Sequence, residues 1–190
     1  MIPSEPTGRQ ALLSRAVGHF ARHGIADTSL RALAEAIGTS HRMLIYHFGS
    51  REGLLAAVVD RVEEDGRAAL AAALACPDDD PLEAGLGFWH AITEEALVYG
   101  PLFFELSSHA MLGLPHAAGL RERLVSTWLD TLEADYAVRG VDRQTGRLWA
   151  RLDLAVARGL LHDLLLTGDR EEIDAVMHGY ATEMVSRLSR

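Results

Sequence analysis

The sequence predicts an all-α protein of about nine helices. Apolar residues recur at helical spacing through nearly the whole chain, and stretches that alternate as strands do are scarce. Glycine and proline interrupt this pattern at intervals that are typical of turns between helices. The chain has 190 residues and is 48% hydrophobic, which allows a substantial core and excludes a disordered protein.

The composition also indicates a compartment. Cys76 is the one cysteine of the chain, so it cannot form an internal disulfide, which fits a reducing environment. No segment has the pattern of a signal peptide, and no run of about 18 apolar residues suggests a membrane span. We therefore expect a cytoplasmic protein that has no membrane contact, cofactor or metal.

Charge is distributed unevenly along the chain. The net charge is −9, which by itself argues against binding to nucleic acid. Residues 1–55 nevertheless carry six arginines against four carboxylates, an excess of two positive charges, so the remaining residues carry −11. This pattern suits a protein that meets phosphate groups at one end only.

Three short helices are predicted first, over residues 8–23, 30–37 and 41–48. Apolar residues line one face of the first helix, and Gly24 marks its end. Ser29 and Ser40 stand where N-caps of the second and third helices are expected, and Gly38 ends the second.

The rest of the chain reads as six longer helices. Ser50 is predicted to cap a fourth helix that ends near residue 75, and an acidic loop with two prolines follows. A fifth helix is predicted to end at Tyr99-Gly-Pro101 because proline interrupts helical hydrogen bonding. The predicted bounds are 82–98, 102–112, 116–138, 142–166 and 170–188.

Residues 29–48 form the most informative segment. Two short helices are joined there by a tight turn, with the small residue Ala34 where they touch and Gly38 free to adopt positive φ. Apolar contacts from Leu33, Ile37 and Leu44 are expected to lock the pair. The pattern predicts a helix-turn-helix unit.

With these residues in place, the first 55 or so residues resemble the DNA-binding domain of the TetR family of bacterial repressors. The matching pieces are Ala16-x-x-x-Phe20-x-x-x-Gly24, Ser29 to Ala34, Gly38-Thr-Ser40, and Tyr46 to Leu55. The chain departs from the family pattern in having Thr39 for valine, Ile45 for tyrosine and Arg51 for lysine.

The resemblance implies a ligand-responsive transcription regulator that is not an enzyme, with repression as the favoured mode. It implies a DNA-binding domain at residues 1–50 and an effector-binding and dimerisation domain at 51–190. A homodimer would bind an inverted-repeat operator in double-stranded DNA and respond to a small apolar or aromatic molecule. Whether that molecule releases DNA or promotes binding stays open.

The N-terminal part of a recognition helix points into the major groove, which places His41, Arg42 and Met43 near base edges. Arg42 suits guanine and Met43 suits a thymine methyl group, while His47 faces a phosphate or a base. The remaining predicted DNA-binding residues, mostly candidates for contacts to the backbone, are Ser29, Arg31, Thr39, Ser40, Tyr46, Ser50 and Arg51. The three serines also have a purely structural interpretation as helix caps.

The predicted body offers aromatic residues for an apolar ligand site, although aromatics at helical spacing also serve as ordinary core. The predicted ligand-binding residues are Trp89, Phe103, Phe104, His109 and Trp128. His90 and Met111 are additional candidates.

The last two helices carry more apolar surface than one core needs. They either pack within the chain or form a four-helix bundle across a twofold axis, two from each subunit. The predicted dimer residues are Val156, Gly159, Leu160, Val176, Met177, Tyr180 and Met184.

Two other classes of protein compete with the regulator. Glu105 and His109, four apart on one helix, with His116 nearby, could ligate a metal in an enzyme. The sequence lacks the His-Glu-x-x-His, phosphate-loop and Gly-x-Ser-x-Gly motifs that would support catalysis. A helical adaptor is the other alternative, but it leaves the helix-turn-helix pattern unexplained.

Overall fold

The computed structural model describes residues 8–23, 28–74 and 80–188. The predicted helix end at Gly24, and Cys76 with the acidic loop after it, lie largely outside these ranges. Every regular element in the described part of the chain is helical, so the all-α prediction is confirmed. The helices are α1 (Gly8–His23), α2 (Leu30–Ala36), α3 (His41–Phe48), α4 (Arg51–Leu74), α5 (Pro81–Met111), a 3-10 turn (Pro115–Ala117), α6 (Ala118–Arg123), α7 (Ser126–Val138), α8 (Arg143–Thr167) and α9 (Arg170–Leu188).

Helices α1 to α3, which we call the head, have the predicted bounds except that α2 ends one residue earlier, at Ala36. The hydroxyl of Ser29 accepts a hydrogen bond of 3.2 Å from the amide of Ala32, and that of Ser40 accepts one of 3.2 Å from Met43. Ser50 does the same for Gly53 at 3.0 Å. Each hydroxyl thus satisfies an amide that lacks a partner in the first turn of its helix, which confirms the three predicted caps.

The head shares its core with the helices behind it. Leu33 and Leu44 are buried in one apolar cluster with residues of α1, and this cluster continues through Leu54 and Val58 of α4 to Leu106 of α5. Head and body, the latter being α4 to α9, therefore have one continuous apolar core along this contact.

Helix α5 differs from the prediction, because it continues through Pro101 for 31 residues. Proline removes one backbone hydrogen bond, but buried residues on both sides of it, such as Trp89 and Leu106, hold the helix in the core. Gly100 serves a close approach between helices and does not form a turn. A Cβ there would lie 2.6 Å from Cδ1 of Leu165 on α8.

The predicted helix over 116–138 is in fact divided. A 3-10 turn and the short α6 precede α7, and the chain turns at residues 124 and 125. The side chain of Arg158 on α8 donates a hydrogen bond to the carbonyl oxygen of Leu124. The carbonyl of Leu124 has no partner within its own helix end, and this hydrogen bond satisfies it. The two residues are 34 positions apart, so helical spacing does not predict the bond.

In the body, α5 packs against α4, α8 and α9, and α7 packs against α4 and α8. Within the described residues, no helix combines the length and the apolarity needed to cross a membrane.

Candidate nucleic-acid interface and ligand cavity

Helix α3 buries one face and exposes the other. Leu44 and Phe48 point into the core, whereas His41, Arg42 and Met43 are exposed at the start of the helix. The structure therefore brings the three predicted base-reading residues together on the outer surface of the head.

The predicted backbone-contact residues surround this surface. Ser29, Arg31 and Ser40 are exposed, and Tyr46 is 77% exposed. Ile45, which stands where the family usually has tyrosine, is also exposed. The more sheltered members of the predicted set are Thr39, His47, Ser50 and Arg51, all half-buried.

Arg51 has a structural partner as well. Its Nε donates a hydrogen bond of 3.3 Å to the carbonyl of Thr28, which joins the start of α4 to the segment before α2. Sequence reasoning missed a second link of this kind, since Arg15 of α1 donates a bond of 2.9 Å to the carbonyl of Ile37. The partners are 23 and 22 residues apart, so no local pattern signals either bond.

A cavity of about 270 Å³ lies in the body between α4, α5, α7, α8 and α9. Four of the five predicted ligand residues line it: Trp89, Phe103, Phe104 and Trp128. Four aromatic residues that the sequence did not single out for this role complete the wall: Phe88, Tyr99, Tyr136 and Tyr180.

His109, the remaining predicted ligand residue, does not line the cavity, so this prediction is wrong. Because α5 is unbroken, His109 lies about 9 Å farther along the helix axis than Phe103. Its Nδ1 is instead 3.0 Å from Nε2 of His116. The additional candidates His90 and Met111 are exposed and also do not line the cavity.

The metal alternative for Glu105, His109 and His116 gains no support from the geometry. Among the residues that the structure describes, no three histidine, cysteine or acidic side chains are grouped in a way that could hold a metal ion.

Two half-buried carboxylates in the cavity wall were not predicted. Glu63 accepts a hydrogen bond of 2.6 Å from the indole of Trp128 and lies 3.7 Å from the guanidinium of Arg158. Asp153 accepts bonds of 2.6 Å from the hydroxyl of Tyr136 and 2.7 Å from that of Tyr180. Burial raises the pKa of both carboxyl groups.

Three of the predicted dimer residues belong to the core of the chain itself. Met177 and Met184 are buried, and Tyr180 is hydrogen-bonded to Asp153, because this side of α9 packs towards α5 and the cavity. Two more, Val156 and Leu160, are half-buried against the cluster around Trp89. Only Gly159 and Val176 of the predicted set are exposed.

The opposite sides of α8 and α9 carry an apolar strip that the prediction only partly covered. Along α8 its members are spaced by four, three and four residues, which places them on one face. The exposed strip consists of Leu148, Leu152, Ala155, Gly159, Val176 and Gly179.

Two short helices locked across a glycine turn, with His41 and Arg42 exposed at the start of the second, define a helix-turn-helix protein. Comparison with known proteins agrees: residues 12–58 match the family model described as bacterial regulatory proteins, tetR family. The transcriptional regulatory protein RaaS of Mycobacterium tuberculosis is 31% identical over 192 residues, covering 97% of this chain and 84% of that protein.

Solved structures share the fold. A TetR transcriptional regulator from Legionella pneumophila superposes with a TM-score of 0.68 at 18% identity, covering 96% of this chain and 99% of that one. The multidrug binding protein EbrR, solved with imidazole, has a TM-score of 0.62 at 25% identity, with 97% and 90% covered.

The chain belongs to the TetR family of bacterial transcription regulators. The relatives are transcription factors and not enzymes, so the family assignment makes the enzyme alternative wrong. The resemblance seen in the first 55 residues is thereby confirmed.

Proposed function

We propose that the protein is a cytoplasmic, dimeric repressor that binds an inverted-repeat operator and releases it when a small apolar or aromatic effector occupies the cavity. The observation that carries this proposal is that the aromatic cavity directly adjoins the helix that supports the head. Tyr99 of α5 lines the cavity, and its hydroxyl hydrogen-bonds α1.

The outer face of α3 supports the DNA-binding part. His41, Arg42 and Met43 are exposed together, and a guanidinium group can bind the O6 and N7 atoms of guanine at once. Exposed hydroxyls and Arg31 around them suit phosphate contacts. We assign residues 1–50 to DNA binding and 51–190 to effector binding and dimerisation.

The exposed strip on α8 and α9 supports dimerisation. Leu148 is 64% exposed, Leu152 41% and Val176 49%, which is unusual for a series of apolar residues on neighbouring helices. A twofold contact would bury the strip in a four-helix bundle. Two heads held in this way would require half-sites about one or more helical turns of DNA apart, roughly 34 Å for one turn.

The cavity supports the effector part, since ligand sites are mostly apolar with a few placed polar groups. The solved relative EbrR is named as a multidrug binding protein, which is in keeping with an aromatic site in this fold. An effector changes DNA affinity only if it binds the two conformations of the protein unequally. Here the cavity wall includes α4 and α5, both of which contact the head.

Selection of bound fragments from a genomic library of the source organism tests the proposal. We expect recovered fragments to share an inverted repeat, and footprinting to protect both half-sites. Binding with no sequence preference at physiological salt would overturn it, because non-specific affinity alone comes from phosphate contacts.

A further inference from the structure

The charges around the cavity do not balance. Its lining residues that ordinarily carry a charge are four acidic and two basic ones: Glu63, Glu95, Asp135, Asp153, Arg139 and Arg158. Two pairs neutralise each other, since Arg158 lies 3.7 Å from Glu63 and Arg139 lies 2.8 Å from Asp135.

The half-buried carboxylate of Asp153 belongs to neither of these pairs. It lies on α8 at the cavity wall, and within the described ranges no arginine or histidine forms an ion pair with it. Glu95 also has no ion pair there, and partial burial raises the pKa of its carboxyl group, but the residue is exposed and its carboxylate is less deeply buried than that of Asp153.

The carboxylate of Asp153 accepts two hydrogen bonds from tyrosine hydroxyls. Tyr136 bonds one carboxylate oxygen at 2.6 Å and Tyr180 bonds the other at 2.7 Å. Lengths in this range are typical of a hydroxyl donating to a charged oxygen. Burial and the charge of Asp153 raise the pKa of both tyrosines, so both keep their protons and act as donors.

This arrangement discriminates between ligands by charge. A neutral molecule that fills the cavity removes water from Asp153 without replacing the lost solvation, and an anion adds repulsion. A cation offsets the desolvation of the carboxylate. The faces of aromatic side chains also attract cations, and Tyr136, Tyr180 and Trp128 are among the aromatic residues that line the cavity.

We propose that the effector is a compact lipophilic organic cation whose positive centre lies beside Asp153, with its apolar body against the aromatic wall. This inference rests on the proposed function, because it concerns the same cavity. The volume of about 270 Å³ favours a small molecule, since sites for drug-sized ligands span roughly 300–1,000 Å³.

Three probes with one aromatic body test the charge requirement. They are (2-naphthylmethyl)trimethylammonium, 2-naphthylmethanol and 2-naphthylmethanesulfonate, which carry positive, neutral and negative heads. Calorimetric titration of the full chain should give an affinity for the ammonium at least tenfold above that for either other probe. Equal affinities, or no binding of the ammonium at millimolar concentration, would overturn the proposal.

A variant then locates the charge. Asp153→Asn keeps the shape and should lower ammonium affinity about tenfold while leaving the alcohol within twofold. Asp130→Asn, an equal charge change at an exposed position of α7, should leave all three affinities unchanged. Unaltered ammonium binding by Asp153→Asn would contradict the assignment, and the wild-type comparison of probes holds even if that variant does not fold.

Operator binding separates this inference from the proposed function. If the ammonium binds as expected but operator affinity does not change, the cation site stands and its regulatory role fails. If the alcohol or the sulfonate releases the operator and the ammonium does not bind, the regulatory role stands and the cation site fails.

Discussion

The hydroxyl of Tyr99 donates a hydrogen bond of 2.8 Å to the backbone carbonyl of Val17. Tyr99 lines the cavity on α5, and Val17 lies in the middle of α1. Burial raises the pKa of Tyr99, so its hydroxyl remains a donor at physiological pH. We therefore expect a movement of α5 around an occupied cavity to be transmitted to the head through this bond.

We expect Tyr99→Phe to weaken the coupling between effector and operator. Loss of one hydrogen bond is worth about 0.5–1.5 kcal/mol, so the ratio of operator affinities without and with saturating effector should fall roughly 2- to 10-fold. Tyr136→Phe is the matched control, because it removes a cavity hydroxyl that has no contact with the head. Fluorescence anisotropy with labelled operator measures the ratio, and an unchanged ratio in Tyr99→Phe would rule out this route.

Arg42 and Arg51 should differ in how their loss affects DNA binding. Arg42→Ala should cost about 1–3 kcal/mol for the specific operator and relax one or two base positions, since the exposed side chain faces outward from α3. Arg51→Ala should weaken all sequences alike and lower the slope of log affinity against log salt by about one.

Binding isotherms at several salt concentrations distinguish these effects. Arg61→Ala is the control, because this exposed arginine of α4 pairs with Asp65 on its own helix. Unchanged sequence preference in Arg42→Ala would remove the base-reading role of this residue.

Val176→Glu should produce a monomer that has lost specific operator binding. A charge in the exposed strip would be desolvated in a twofold contact, which is strongly unfavourable. Val138→Glu, at a position of α7 that is 87% exposed, should leave assembly unchanged. Sedimentation at micromolar concentration decides the matter, and a wild-type monomer would remove the basis for the dimer.

Cation binding should weaken as the pH falls. Burial raises the pKa of Asp153 above its ordinary value of about 3.9, and protonation removes the negative charge. The loss should therefore occur at higher pH than for an exposed aspartate. The groups facing Asp153 are Tyr136, Tyr180 and Asp135, the last neutralised by Arg139.

Calorimetry of the ammonium probe across acidic pH, within the range where circular dichroism shows a folded chain, measures this loss. Glu63 contributes in the same direction, because burial also raises its pKa. Asp153→Asn should remove the larger part of the pH dependence. A pH profile identical to that of the wild type would show that another group controls binding.

Gly100→Ala should destabilise the protein by about 1 kcal/mol, because the added Cβ forces the half-buried side chain of Leu165 out of its position against α5. Gly87→Ala on the same helix meets nothing within 4 Å and should instead stabilise by up to about 1 kcal/mol. Urea unfolding at one fixed protein concentration gives both values. If Gly100→Ala changed the free energy of unfolding by the same amount as Gly87→Ala, the close approach of α5 and α8 at Gly100 would be contradicted.

Local sequence signals were sufficient for the head. Ser29, Ser40 and Gly38 act within one or two turns of their own position, so caps and turn could be predicted from spacing alone. In the body, the break expected at Pro101 did not occur because tertiary packing outweighed the lost hydrogen bond. Local propensity does not contain that packing.

The polar side of the cavity could not be predicted for a similar reason. Glu63 and Trp128 are 65 residues apart, and Asp153 meets Tyr180 across 27 residues. The wide apolar stripe on α9 was detected, but periodicity does not show which part faces the chain itself. As a result, Met177 and Met184 were assigned to the wrong side.

The core that runs from Leu12 through Leu54 to Leu106 has a consequence for protein engineering. A chimaeric regulator made by joining residues 1–50 to the body of another family member would cut this core at its centre. Transplanting a new operator specificity therefore calls for a junction beyond Val59, or for replacing only the exposed residues of α3. In this chain, the unit that recognises DNA is smaller than the unit that can be exchanged.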